Sequence, residues 1–194
     1  DSVVQIRQAF PAIELLESEH NLGFGGGCNL GIKIAIQRDC EFVWLLNNDT
    51  RVADDALAQL LQMARADTSI GAVGSVIYDL DSPHTLQLWG GGTVNTLLGT
   101  SHLLKSPGPV DFLSGASLLL RVEALRQVGA FDDQNFFMYW EDTDLGRRLT
   151  NAGWRLAVAP GSQVWHAESS SLGKGSPLRN EYFTRSAIAF MKKH

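Results

Sequence analysis

The chain has 194 residues, enough for one ordinary domain with a sizeable core, and its 44% apolar and 19% charged residues exclude a disordered or fibrous chain. A net charge of −5 gives no support to nucleic-acid binding. No stretch approaches the roughly 20 apolar residues that span a bilayer, no signal-peptide pattern is read, and two cysteines, Cys28 and Cys40, suit a reducing cytoplasm better than a disulfide framework.

Ser2 is placed to cap a short opening helix carrying Val3, Ile6 and Phe10. Residues 12–17 are short, apolar and follow Pro11, which predicts a strand. A Gly-rich run covers residues 21–31, and residues 29–38 then show the broad apolar face of a helix. The continuously apolar run 42–46 reads as a strand covered on both sides, ending at Asn47-Asn48-Asp49-Thr50. A helix follows over 54–65 and another apolar strand over 70–78. This alternation argues for a doubly wound α/β sheet.

Residues 79–109 are rich in Gly, Ser, Thr and Pro, with short extended pieces at 86–89 and 93–97, and read as an irregular insertion on a sheet edge. Order resumes with a strand at 117–120 and a short helix at 122–128 that Gly129 stops. Residues 141–151 form a helix with acids in its first turn and Arg147 and Arg148 near its end, matching the helix dipole. Strands are expected at 155–159 and 163–166, a mobile loop at 169–175, and an amphipathic helix at 181–194.

Three places invite chemistry. Asp49 ends a buried strand, where open α/β sheets bind ligands, although Asn and Asp there also simply form turns. Glu141 and Asp142 open a helix behind the aromatic run 136–140; capping explains either acid, whereas aromatic faces beside paired carboxylates suit a sugar pocket. His166 ends a strand as Asp49 does, so both can face one crevice, while a lone histidine is more often structural. The Gly-rich run sits between strand and helix, as an anion site would. It lacks the third glycine of the dinucleotide fingerprint and the Lys-Ser/Thr of a P-loop, which sets a dinucleotide-dependent oxidoreductase aside.

Taken together, the stretches NLGFGGGCNLGI (21–32), VWLLNNDTRV (43–52), DFLSGASLLLRVEALRQVGAFDD (111–133), FFMYWEDTDLGRRLTNAGWRLAVAP (136–160) and VWH (164–166) resemble glycosyltransferase family 2, in its rhamnosyltransferase-like and galactofuranosyltransferase-like branch. The resemblance implies an α/β GT-A fold with a mostly parallel sheet flanked by helices, a nucleotide diphosphate sugar donor (dTDP- or UDP-linked) and an inverting reaction. Asn47-Asn48-Asp49 occupies the place of the family's Asp-x-Asp motif, with Asn47 replacing the first acid. The resemblance makes Asp49 and His166 ligands of Mg²⁺ or Mn²⁺, Asp142 the general base and Glu141 the acid beside it. It assigns the donor to Asn21, Gly23, Gly25, Asn29, Asn47, Asn48, Ser114 and Gly115, and the acceptor to Trp140 and Trp89. Arg148 matches the family's helix arginine; a structural ion pair explains it equally.

The family's pattern starts with a strand, a helix and a second strand that would precede Asp1, so an N-terminally truncated GT-A domain is expected. We read one domain over 1–194: the remaining nucleotide-binding half (1–78), an acceptor and catalytic half (79–166), and a C-terminal loop and helix (167–194). The expected partners are the donor and a polysaccharide or lipid-linked glycan acceptor at the cytoplasmic face of the inner membrane; the last helix suits weak, peripheral interfacial contact there, while a helix packed on the domain is the favoured reading. An unpaired sheet edge would favour a homo-oligomer. The alternative is a non-catalytic or inactive fragment of such an enzyme.

Overall fold

Helices and strands follow one another as α1 (Ser2–Ala9), α2 (Gly23–Gln37), β1 (Phe42–Leu46), β2 (Thr50–Val52), α3 (Ala56–Ala66), β3 (Ile70–Asp79), β4 (Leu86–Trp89), β5 (Gly91–Asn95), β6 (Thr100–Leu103), β7 (Phe112–Leu113), β8 (Ser117–Arg121), α4 (Val122–Val128), α5 (Glu141–Asn151), β9 (Arg155–His166) and α6 (Pro177–Lys193). This computed structural model describes residues 2–167 and 176–194. The loop expected at 169–175 and the capping side chain of Ser2 lie outside the described residues.

One sheet runs in the order β1-β8-β3-β9-β2, with β4 also paired to β3. Period-two alternation splits its apolar residues between two helical layers. Leu118, Leu120 and Ala72 pack with Ile32 of α2, Leu125 of α4 and Leu145 of α5. Their neighbours Leu119 and Val73 pack with Leu60 and Ala64 of α3. Burial on both faces is what the unbroken apolar runs anticipate, and residues from both halves of the chain share the first of these cores.

The α/β class holds, but strand direction does not follow expectation. Only β3 and β9 pair in parallel, while β1·β8, β8·β3, β3·β4 and β2·β9 are antiparallel, so the sheet is mixed rather than mostly parallel. An apolar run reports that both faces are covered and carries no information on direction.

Other departures have local causes. Residues 12–17, expected as a strand, are irregular and largely exposed, and pair with no strand among the described residues. The two strands expected at 155–166 are one strand, β9, whose register against β3 shifts after Ser75 where Pro160 and Gly161 intervene. The insertion 79–109 is more ordered than its composition suggests: β5 and β6 form a hairpin and β5 pairs with β7. Among the described residues no helix is long and apolar enough to cross a membrane.

Helix α2 begins inside the Gly-rich run, at Gly23, instead of at Asn29. Asn21 Oδ1 accepts the Gly23 N–H at 3.0 Å, and Gly23 has φ +71°. A side chain at Gly23 would land on the carbonyl oxygen of Phe137, and one at Gly25 would meet Phe131 Cβ at 3.0 Å. Glycine weakens a helix by about 1 kcal/mol relative to alanine. Here it allows the helix backbone to close against the segment 131–137, which leads into α5.

Candidate active site

Strand pairing assembles the first half of the site. The antiparallel register of β2 on β9 sets Thr50 opposite His166, and the Ala167 N–H donates to the Asp49 carbonyl at 3.1 Å. Asp49 Oδ1 thereby lies 3.3 Å from His166 Nε2, and Asn47 Nδ2 lies 3.4 Å from the same nitrogen. On the other side of the ring, Gln87 Oε1 of β4 is 2.9 Å from His166 Nδ1. An amide oxygen only accepts, so Nδ1 donates to Gln87 and Nε2 is the nitrogen turned towards Asn47 and the Asp49 carboxylate. An imidazole nitrogen and a carboxylate oxygen at this distance suit a shared cation, with Gln87 orienting the ring. Among the described residues no third His, Cys, Asp or Glu joins them to form a protein-only metal cluster. That donor set fits Mg²⁺ or Mn²⁺, which take a carboxylate or two together with substrate phosphates and water.

The second half hangs on an unusual backbone turn. Tyr139 and Trp140 both have left-handed conformations, φ +66° and +67°, which bulky residues seldom adopt. The chain turns there directly into α5, whose first turn carries Glu141 and Asp142. Phe136, Trp140 and Phe190 pack together as a buried cluster that holds the turn.

Glu141 and Asp142 meet different surroundings. Glu141 is buried and its Oε2 has no hydrogen-bond partner among the described residues. Burial, and then the charge of Asp142, push its carboxyl up to about 8. Asp142 accepts from Thr143 N–H at 2.7 Å, Thr143 Oγ1 at 3.3 Å and Gly115 N–H at 3.4 Å. Burial raises its pKa too, against these three hydrogen bonds. A small apolar void lined by Leu113, Leu118 and Leu145 lies behind it, the physical source of that burial. Both carboxyls are thus made more basic by burial, Glu141 holding a proton near neutrality and Asp142 being held by its three donors. Cys28, whose thiol is pushed up to about 11 by burial and the Glu141 charge, belongs to the same neighbourhood.

Both halves open onto one cavity of ≈ 400 Å³, whose wall includes Ser114, Trp140, Glu141, Asp142, His166, Gln87, Tyr139, Arg179 and Phe183. Carboxylates, a histidine and aromatic rings around such a volume form a site for a polar ligand with apolar faces.

The profile described as Glycosyltransferase like family 2 matches residues 1–180. The chain belongs to this family. It is 32% identical over 193 residues to the N-acetylglucosaminyl-diphospho-decaprenol L-rhamnosyltransferase of Mycobacterium tuberculosis, covering 86% of this chain and 62% of that protein. It is 29% identical over 149 residues to galactofuranosyltransferase GlfT1 of Mycolicibacterium smegmatis, covering 71% of this chain and 48% of that protein. The chain thus spans less than two thirds of the length of these relatives. Its fold is GT-A: GalNAc-T7, solved with UDP, GalNAc and Mn²⁺, superposes with a TM-score of 0.70 at 15% identity, over 96% of this chain and 38% of that one. The mannosyltransferase PcManGT of Pyrobaculum calidifontis, solved with GDP-Man and Mn²⁺, gives 0.61 at 18% identity, over 95% and 49%.

Within this family 2 domain the residues singled out in the sequence fall into two groups. Asp49, Asn47, His166, Ser114, Trp140, Glu141 and Asp142 converge on or beside the cavity, and Gly115 holds Asp142 through its N–H. The N-terminal candidates are engaged elsewhere. Asn21 caps α2, Gly23 and Gly25 permit its packing, and Asn29 clamps the Phe131 backbone by accepting from its N–H at 3.0 Å and donating to its carbonyl at 2.9 Å. Trp89, assigned to the acceptor, lies next to Leu88 on β4 but does not line the cavity. Arg148 bonds Asp144 at 2.8 Å and the carbonyls of Val128 and Ala130, an ion pair that ties α5 to the turn after α4. Gln87 and Arg179 escaped the sequence reading. Gln87 alternates with Leu86 and Leu88 in a short strand, a pattern too brief to flag, and Arg179 precedes the predicted start of the last helix, which begins at Pro177.

Proposed function

We propose that the protein is an inverting glycosyltransferase that moves a sugar from a nucleotide diphosphate sugar, dTDP- or UDP-linked, to a lipid-linked glycan or polysaccharide. The observation that carries this reading is the shared cavity of Asp142 and His166, brought there by the start of α5 and the end of β9. Asp142 takes the proton of an acceptor hydroxyl as that oxygen attacks the anomeric carbon. The bond from that carbon to the diphosphate breaks, and the nucleoside diphosphate leaves with the electron pair. Inversion follows because attack and departure occur on opposite faces of the sugar.

Asp49 and His166, with Asn47 beside them, would hold a Mg²⁺ or Mn²⁺ ion, which neutralises charge developing on the diphosphate. Glu141, neutral near pH 7, donates a hydrogen bond into the cavity and adds no second negative charge beside Asp142. Tyr139 offers a ring face to the C–H face of a sugar, and buried Trp140 backs the cavity wall behind it. The name of the mycobacterial rhamnosyltransferase specifies a diphospho-decaprenol acceptor. That supports a lipid-linked acceptor here and work at the cytoplasmic face of the membrane.

The test is a panel of dTDP-, UDP- and GDP-sugars with and without Mn²⁺, offered with a sugar-diphosphate lipid acceptor. Mn²⁺-dependent transfer that inverts the anomeric centre is the expected result. A chain that bound no nucleotide sugar with metal and transferred none would overturn the reading.

A further inference from the structure

Helix α6 changes character along its length. At its start, Arg179 lines the catalytic cavity, its guanidinium 5.8 Å from the centre of the Tyr139 ring. Its Nε is enclosed and has no hydrogen-bond partner among the described residues. One turn on, Phe183 lines the cavity and also the end of a second, shallower groove of ≈ 450 Å³. The groove runs between α6, through Ala187, Ile188 and Met191, and the β5–β6 turn at Leu97 and Leu98. Leu97 is 92% exposed, Leu98 73% and Ile188 50%. From Arg179 to Met191 the helix rises about 18 Å.

A soluble surface seldom leaves so many large apolar side chains together, and such a patch marks a binding site. Continuity selects the occupant. Phe183 belongs to both spaces, so a ligand filling both is polar in the cavity, anionic beside Arg179 and apolar along α6. We infer that this groove seats the polyprenyl chain of a diphosphate-linked acceptor whose sugar lies in the cavity. The inference rests on the lipid-linked reading above.

A bilayer surface is the weaker occupant on two grounds. The groove is walled by two elements, with the turn so near the helix that a side chain at Gly99 would meet Met191 Cγ at 3.3 Å. Moreover, of the two lysines that end α6, Lys193 is paired to Asp132 and Asp144, each at 2.7 Å, and only Lys192 lies on the groove to meet anionic headgroups.

Transfer by the full chain is measured on two acceptors with the same diphospho-sugar head, one with a three-isoprene chain and one with a short alkyl ester. Wild type should show a KM lower by about tenfold or more for the isoprenoid acceptor. Leu98→Glu and Ile188→Glu, both at exposed positions, should raise that KM to the short-chain value and leave kcat and the short-chain KM unchanged. If wild type uses both acceptors with equal KM, the inference fails while the transferase reading stands. If neither acceptor is used with any donor, both fail together. The inference is also overturned if the glutamate variants keep the chain-length preference but lose binding to acceptor-free anionic vesicles, or dissociate a dimer. Either result would make the patch a bilayer or self-association surface.

Discussion

Glu141 and Asp142 are adjacent in sequence, yet Glu141 is buried with its Oε2 unbonded among the described residues, while Asp142 is held by three donors. Asp142→Asn keeps the shape and hydrogen-bond reach but cannot take a proton. Turnover should fall about 10²–10⁴-fold, with donor affinity, measured by titration calorimetry, unchanged. Glu141 makes a stability prediction of definite sign. Its carboxyl is at about 8 in the folded chain against an ordinary 4.5, so the folded state binds more protons between those values. Stability should be highest below pH 4.5 for this group alone and decline as pH rises towards 8. Glu141→Gln should flatten that part of a plot of Tm against pH relative to wild type, and an identical slope in both proteins would refute the assignment. Gln87 acts at one remove, by holding the His166 ring. Gln87→Ala should weaken Mn²⁺ activation by roughly 10–100-fold while sparing turnover at saturating metal. The sequence made Asp49, Asp142 and His166 legible because they end or begin regular elements. It hid Gln87 because a hydrogen bond between the ring and a distant strand leaves no local pattern.

At the scale of elements, α2 shows how a motif is put to use in packing. The glycines mark close approach, and the chain's own segment 131–137 is what packs against Gly23 and Gly25. Gly23→Ala would place a methyl group on the Phe137 carbonyl and require a left-handed alanine, costing about 2–6 kcal/mol from strain and overpacking combined. Gly31, in the same helix, has nothing within 4 Å of where a Cβ would stand. Gly31→Ala should therefore stabilise the protein by about 0.4–1 kcal/mol. Urea unfolding of the two variants checks both signs at once. Periodicity gave the buried strands β1, β3 and β8 and the helices α3, α4 and α5. It could not give β2, three residues whose strand character comes only from pairing with β9. Nor could it give the parallel or antiparallel sense of the sheet, which depends on connections and not on side-chain pattern.

For the whole molecule, the decisive fact is that α6 closes the site from the far end of the chain. The sequence shows an amphipathic helix there and leaves open what it covers; a helix lying on a membrane and one packed on the domain have the same pattern. The contacts decide for packing: Phe190 is buried against Trp140, and Ser186 donates to the Met138 carbonyl at 2.9 Å. The helix end is fixed electrostatically, because fully buried Asp144 on α5 accepts from Lys193 at 2.7 Å and pairs with His194 at 2.8 Å while its other oxygen binds Arg148. Removing such a buried charge strands its partners. Asp144→Ala should cost about 3 kcal/mol, the lower end of the range because Lys193 and Arg148 retain contact with water. Lys193→Met is the gentler variant, since it keeps the apolar stem and removes one ion-pair partner. If the latch holds α6 over the cavity, Lys193→Met should speed amide exchange throughout α6 and raise acceptor KM, because Arg179 and Phe183 are carried on that helix. Exchange rates in α2 and α3 should not change. Uniformly faster exchange across the protein would mean that Lys193 supports global stability and does not gate the site.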